Sequence, residues 1–279
     1  MLERGLLRSA RGWQCAVGGV QSRSLVMRSL ALTFALAAAL PPSAGGRSSG
    51  DPIRLAWSEG DVAGMSTVWA RDGSEAIGFV EYHQTRRGDR LSSLRIARFR
   101  DGSSDEDSAE AAVGETLQAL SGRSIIRDVD GEPLVDLRID VEAGRIEGTW
   151  GRGTDRRDVE EHVALPKGTY WGPLIFIVLK NFEANAEDGQ LVFRTVAPTP
   201  KPMVVDMALT RGDEDVLERT GLRLQARRFE LSPTVHWTVD PLVRLIAPRA
   251  TFWILPGDPP ALARFTGPRN YGRQGIMIQ

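Results

Sequence analysis

Three histidines, His83, His162 and His236, are the side chains of this sequence best suited to move a proton near neutral pH or to ligate a metal. None lies within four residues of another, so the local spacing that builds a zinc or metalloprotease site is absent from the sequence. The stretch VEEHV, residues 159–163, places Glu160 and His162 on one face of a strand and Glu161 on the other. Such a pair could serve as general acid and base, but a solvated strand face accounts for the same residues more simply. His83 beside Tyr82 and His236 beside Trp237 read as structural residues. The acid-rich RDGSSDEDSAE, residues 100–110, supplies carboxylates of the kind calcium takes, without the ligand–Gly–Glu spacing of an EF-hand loop. DVDGE, residues 128–132, reads as a hairpin turn.

Nucleophile and phosphate motifs are missing as well. The sequence holds no G-x-S-x-G elbow and no S-x-x-K paired with K-T-G. GRGTDRR, starting at Gly151, has two glycines but lacks the strand–loop–helix setting of a phosphate loop. The Arg-Gly-Asp triplets at Arg87 and Arg211 fit turn chemistry in a chain rich in these three residues. No catalytic, metal or cofactor residue is therefore expected, which favours a non-enzymatic protein. A hydrolase using carboxylates on a concave face, such as Glu160 with His162, is a third reading.

Charge narrows the field. The 279 residues carry a formal net charge of −1. Residues 1–46 hold five arginines and one acid, which leaves 30 basic and 35 acidic side chains, a net of −5, in the remainder. A mildly acidic body without a basic block is unsuited to nucleic acid, whose phosphates demand a neutralising surface.

The N-terminus carries a targeting signal. MRSLALTFALAAALPPSAGG, residues 27–46, has one positive charge, an apolar run from Leu30 to Leu40, then prolines and small residues. This is the three-part layout of a secretory signal peptide. Eleven apolar residues fall short of the roughly 20 that span a bilayer. The expectation is a signal peptide over 1–46, with Met27 as the start, a flexible leader over 47–52, and a single domain over 53–279 that is exported to the periplasm or secreted. The sole cysteine, Cys15, precedes the apolar run, so the processed chain would have no disulfide and no thiol nucleophile.

The elements of that domain are strands. In PLVDLRIDVE, residues 133–142, Leu137, Ile139 and Val141 alternate with Asp136, Arg138, Asp140 and Glu142. A slip of one residue would bury those charges, so the register is strongly specified. Similar alternation appears over 76–85, 91–100, 191–196, 203–210, 222–231 and 251–255. Asp-Gly pairs at Asp72, Asp101, Asp130 and Asp188 suit hairpin turns. SAEAAVGETLQAL, residues 108–120, has helix-forming composition, but Gly114 and Thr116 interrupt it, which favours a hairpin. Two segments read as short apolar helices: DPLVRLIAP, residues 240–248, with an N-cap Asp and a Pro at the first position, and GPLIFIVLKNF, residues 172–182. The second is apolar on every side from Leu174 to Leu179, so it is buried all round or touches a ligand on one face. The expected fold is mainly β (α+β): a strongly curved antiparallel sheet or incomplete β-barrel, with a few short apolar helices on its concave side.

ALPKGTYWGPLIFIVLKNF, TVAPTPKPMVV and ATFWILPGDPPALARFTGP together resemble a group of uncharacterised exported bacterial proteins, β-rich domains of unknown function. In that group a Leu-Pro stretch similarly leads into a hydrophobic helix ending in Leu-Lys-Asn. A more distant similarity in plan is to the lipoprotein-carrier half-barrels of the bacterial envelope. The resemblance implies a fold and lends no functional residues.

The leading expectation is a non-enzymatic exported protein that binds an apolar or lipid-like ligand in a half-barrel. Its pocket wall would be Trp171, Leu174, Phe176, Ile177, Leu242, Leu245 and Ile246. The alternative is a structural or protein-interaction module of the envelope in which the apolar helix is only core. Neither reading involves a cofactor, nucleic acid or a membrane span in the processed chain.

Overall fold

The structure, a computed structural model, describes residues 48–57, 60–197, 199–219, 221–234, 249–269 and 275–279. The expected signal peptide, the expected helix over 240–248 with Leu242, Leu245 and Ile246, and His236 and Trp237 lie outside the described residues.

Among the described residues fifteen strands join one antiparallel sheet. They are β1 (Ile53–Arg54), β2 (Val62–Ala70), β3 (Ala76–Arg87), β4 (Arg90–Phe99), β5 (Ser104–Val113), β6 (Thr116–Arg127), β7 (Pro133–Asp140) and β8 (Arg145–Trp150). There follow β9 (Arg157–His162), β10 (Gln190–Ala197), β11 (Met203–Arg219), β12 (Leu222–Pro233), β13 (Ala250–Leu255), β14 (Ala261–Pro268) and β15 (Gly275–Ile278). The sheet is a meander running from β10 through β15, then from β2 through β9, with β1 added beside β6. Among the described residues its two outermost strands, β9 and β10, are not paired to each other, so the sheet is not closed.

A tight turn leads the chain into β10. At the Asp188-Gly189 turn Asp188 itself takes φ 50° and Gly189 takes 74°, the left-handed pair that a two-residue hairpin turn requires. Residues 108–120 form the β5–β6 hairpin, because alternation on a half-buried sheet overrides the helix-forming composition of the segment. The remaining alternating runs lie in β3, β4, β10, β11, β12 and β13. Residues 48–51, within the expected leader, close a turn through Asp51 N–H to Ser48 O (3.0 Å), and Gly168 N–H donates to Gly50 O (3.1 Å).

One α-helix is described, α1 (Leu174–Lys180), so the several helices of the expected fold reduce to one among the described residues. Leu174, Ile177, Val178 and Leu179 of α1 are buried. They share one core with Leu91, Ala109, Leu117, Ile139 and Ile146 from one half of the sheet, and with Leu191, Phe193, Leu209, Phe229 and Phe252 from the other. Both halves thus turn the same face toward the helix, hereafter the inner face. A seven-residue helix has little stability of its own in water; burial holds it.

Polar side chains tie the helix to the rest. Asn181, 1% exposed, accepts from Ala56 N–H (2.7 Å) and donates to Ile177 O (2.9 Å). Asn185 accepts from Arg54 N–H (2.7 Å) and donates to Arg54 O (2.8 Å), which pairs it with the β1 backbone as another strand would. The Tyr170 hydroxyl accepts from Ile53 N–H (2.9 Å) and donates to Leu117 O (2.8 Å), locking β1 against β6. Ile53 N–H, Arg54 N–H and Arg54 O of the short β1 thus find partners in these side chains.

Candidate ligand cavity and outer trough

Strand register decides which residues meet. On the inner face one row runs Ser93, Ala109, Gly122, Ile139 and Ile146 across β4 to β8. The next runs Arg95, Asp107, Ser124 and Leu137, and a third Ala97, Asp105, Ile126 and Val135. A bulge between Glu110 and Ala111 makes this possible. Before it β6 buries Leu117 and Ala119; after it the inward positions are Gly122, Ser124 and Ile126.

Between these rows and α1 lies a cavity of about 250 Å³. Its apolar wall includes Trp171, Ile175, Phe176, Val196, Phe252 and Phe265. Phe176 meets Tyr82 and Phe252 edge-on, with ring centroids 5.9 and 6.5 Å away, the geometry aromatic quadrupoles favour. Two glycines let the helix end come this close. A Cβ on Gly122 would stand 2.3 Å from Trp171 Nε1, so the indole lies directly on the sheet backbone there. Gly172 has φ +49°, and its own Cβ would meet Asp107 Cβ at 2.8 Å.

The cavity also has a polar end. Arg95 pairs with Asp107, which accepts from Ser124 Oγ at 2.7 Å. Arg269 lies with its guanidinium carbon 3.5 Å from the Phe99 ring centroid, an attractive cation–π stack. It bonds to Ser103 Oγ, and its Nη1 donates to Asp101 at 3.4 Å. Its Nε lies 4.0 Å from Asp105, a carboxylate 4% exposed. The Ser103 hydroxyl, then the Ser103 amide and Arg269, hold the Asp101 carboxyl below its ordinary range.

Of the expected pocket residues, Trp171 and Phe176 line this cavity, whereas Leu174 and Ile177 are fully buried in the core and absent from its wall. Arg95, Asp105, Asp107, Ser124 and Arg269 were not foreseen. For Arg95, Asp105 and Asp107 the sequence trace is a charge at an inward position of an alternating strand; Ser124 is uncharged and Arg269 follows the end of β14, so neither carries that signal. A second cavity of about 250 Å³ adjoins the C-terminal end of α1, with Trp57, Lys180, Phe182, Glu183 and Arg227 in its wall.

The opposite face carries an open trough of about 600 Å³ across β3 to β8. One row there runs Thr85, Ser92, Glu110, Ser121, Asp140 and Arg145; the next runs His83, Leu94, Ser108, Arg123, Arg138 and Glu147. Arg123 grips Asp136 through two bonds of 2.7 and 2.6 Å, and this hydrogen bonding lowers the Asp136 pKa. The trough is larger and is rimmed mainly by polar and charged side chains, a poorer setting for an apolar ligand than the aromatic wall beside α1.

His162 and Glu160 are 70% and 67% exposed, with 3.6 Å between Nε2 and Oε1. They point to the outer face of β9, opposite Val159, so the expectation that such a pair sits on the concave face is corrected. Strand alternation also splits the acid-rich 100–110 segment: Asp105 and Asp107 face inward, Glu106 and Glu110 outward. Among the described residues no three His, Cys, Asp or Glu side chains gather as a metal site, and no helix is long and apolar enough to cross a membrane.

Fold and cavity define an open antiparallel sheet packed around a buried helix, with a partly open, mainly apolar cavity beside it. A solved structure to which the chain is similar is the β-barrel-like protein of a domain of unknown function (DUF1849) from Brucella abortus. The two are 10% identical with a TM-score of 0.44, over 81% of this chain and 96% of that one. No family model and no curated protein matches the chain.

Proposed function

We propose that the protein is an exported, non-enzymatic envelope protein whose curved sheet holds a small apolar or lipid-like ligand beside α1. The observation that carries this reading is the inner cavity of about 250 Å³, walled by aromatic and aliphatic side chains with a few convergent polar groups. That is the usual make-up of a small-molecule site. Export rests on the sequence pattern over residues 27–46.

The rival reading, a structural or interaction module with a dry interior, is favoured by the complete burial of Leu174, Ile177 and Val178. Solvent extraction and mass spectrometry of the purified full chain separate the two. A stoichiometric apolar compound, lost when Ile175→Trp fills the cavity, is the expected outcome. Recovery of none, together with no uptake of an added apolar fluorophore, supports the module.

A further inference from the structure

We infer that the cavity selects an amphiphile with an uncharged hydrogen-bonding head, such as an acyl ester or amide, and discriminates against the free acid of the same chain. The inference rests on the cavity being a ligand site and adds the class of head group it admits.

The reason is charge balance among largely buried side chains. The polar end holds two guanidinium groups, Arg95 and Arg269, and two inward carboxylates, Asp107 and Asp105. Each guanidinium already faces a carboxylate: Arg95 is bonded to Asp107, and Arg269 lies 4.0 Å from Asp105 and 3.4 Å from Asp101. The paired side chains are largely withdrawn from water, Arg95 and Asp107 at 21% and 16% exposed, Arg269 and Asp105 at 14% and 4%. Among the described residues of the cavity wall no surplus positive charge is left for an incoming anion, and the two carboxylates would repel it. A charge brought out of water needs a partner that restores what hydration supplied, and here it would find none. A neutral ester or amide avoids that penalty: its carbonyl still finds donors in the guanidinium groups, and an amide N–H or a glycerol hydroxyl finds acceptors in the carboxylates, while the Ser124 hydroxyl is already given to Asp107. Size adds a second limit. At about 250 Å³ the cavity lies below the roughly 300–1,000 Å³ of drug-sized sites, so it suits one chain of modest length.

The test uses the uncharged fluorophore N-phenyl-1-naphthylamine as probe. Decanoate and its glycerol monoester, at pH 8, are the competitors. The monoester is expected to displace the probe at a concentration at least about tenfold lower than decanoate. Asp105→Asn leaves Arg269 with less opposing charge and should narrow that gap by improving decanoate. Should that variant not fold, Asp107→Asn carries the same expectation through Arg95. The double variant Arg95→Gln/Asp107→Asn keeps the balance and should keep the preference. Equal displacement by both competitors, with probe binding still abolished by Ile175→Trp, overturns the head-group inference and leaves the ligand site standing. A probe that does not bind, or binds regardless of Ile175→Trp, overturns the ligand site itself.

Discussion

The two faces of β4 to β8 use the same residue types to opposite ends. On the inner face Arg95 and Asp107 are 21% and 16% exposed beneath α1, in a row continued by Ser124. On the outer face Arg123 and Asp136 make a better formed, two-pronged pair, yet stand 40% and 29% exposed. Water and salt screen the outer pair, so its good geometry contributes little. The inner pair sits where charge is less screened, and under the proposed ligand reading it would govern which ligands enter. Burial, rather than the geometry of the pair, separates a charge that shapes a site from one that keeps a surface wet.

The comparison breaks most readily at the core. Ile177→Ala removes a fully buried side chain from α1 and is expected to destabilise by about 2–5 kcal/mol, measured by urea unfolding. Leu94→Ala, on the outer trough, should stay within about 1 kcal/mol. Equal losses would mean that the helix is not the centre of the core. A smaller effect is expected at Gly122→Ala, where the new methyl overlaps Trp171 Nε1 and Ser108 O. Overpacking of this kind costs about 1–3 kcal/mol. A shift of tryptophan emission should accompany the loss if Trp171 is the residue displaced, and unchanged emission would contradict the contact.

The weakest effect belongs to the outer pair. Asp136→Asn should cost no more than about 1 kcal/mol at neutral pH. Because the Arg123 hydrogen bond lowers the Asp136 pKa in the folded state, its contribution is present above the ordinary carboxylate pKa. It is lost as pH falls through the folded value. The variant should therefore lose part of the acid-side decline in stability. A stability-versus-pH curve parallel to that of the parent would show that Asp136 does not contribute.

Much of the fold was legible because alternation is a local signal. Leu137 and Ile139 of β7 are buried, while Asp136, Arg138 and Asp140 between and beside them remain at least partly open to solvent. The Asp-Gly turns at Asp101, Asp130 and Asp188 fall between strands or at a strand start. The apolar run at 174–180 is a buried helix. The site was much less legible. Arg95, Asp107 and Ser124 are 12 and 17 residues apart, on three strands, and nothing local marks them as neighbours. Trp171 and Phe176 stood out as large apolar residues, but hydrophobicity alone could not separate them from Leu174 and Ile177, which face the core.

From its sequence alone the chain determined its strands, its turns and the burial of its one described helix, since backbone preference and the period of apolar residues act over a few positions. Only the tertiary structure decided which charges share a cavity. One bulge between Glu110 and Ala111 changes which residues of β6 face inward, and so brings Gly122 under Trp171 and Ser124 beside Asp107. Register is a property of two strands at once, and a single extra residue in one of them exchanges the faces of everything beyond it.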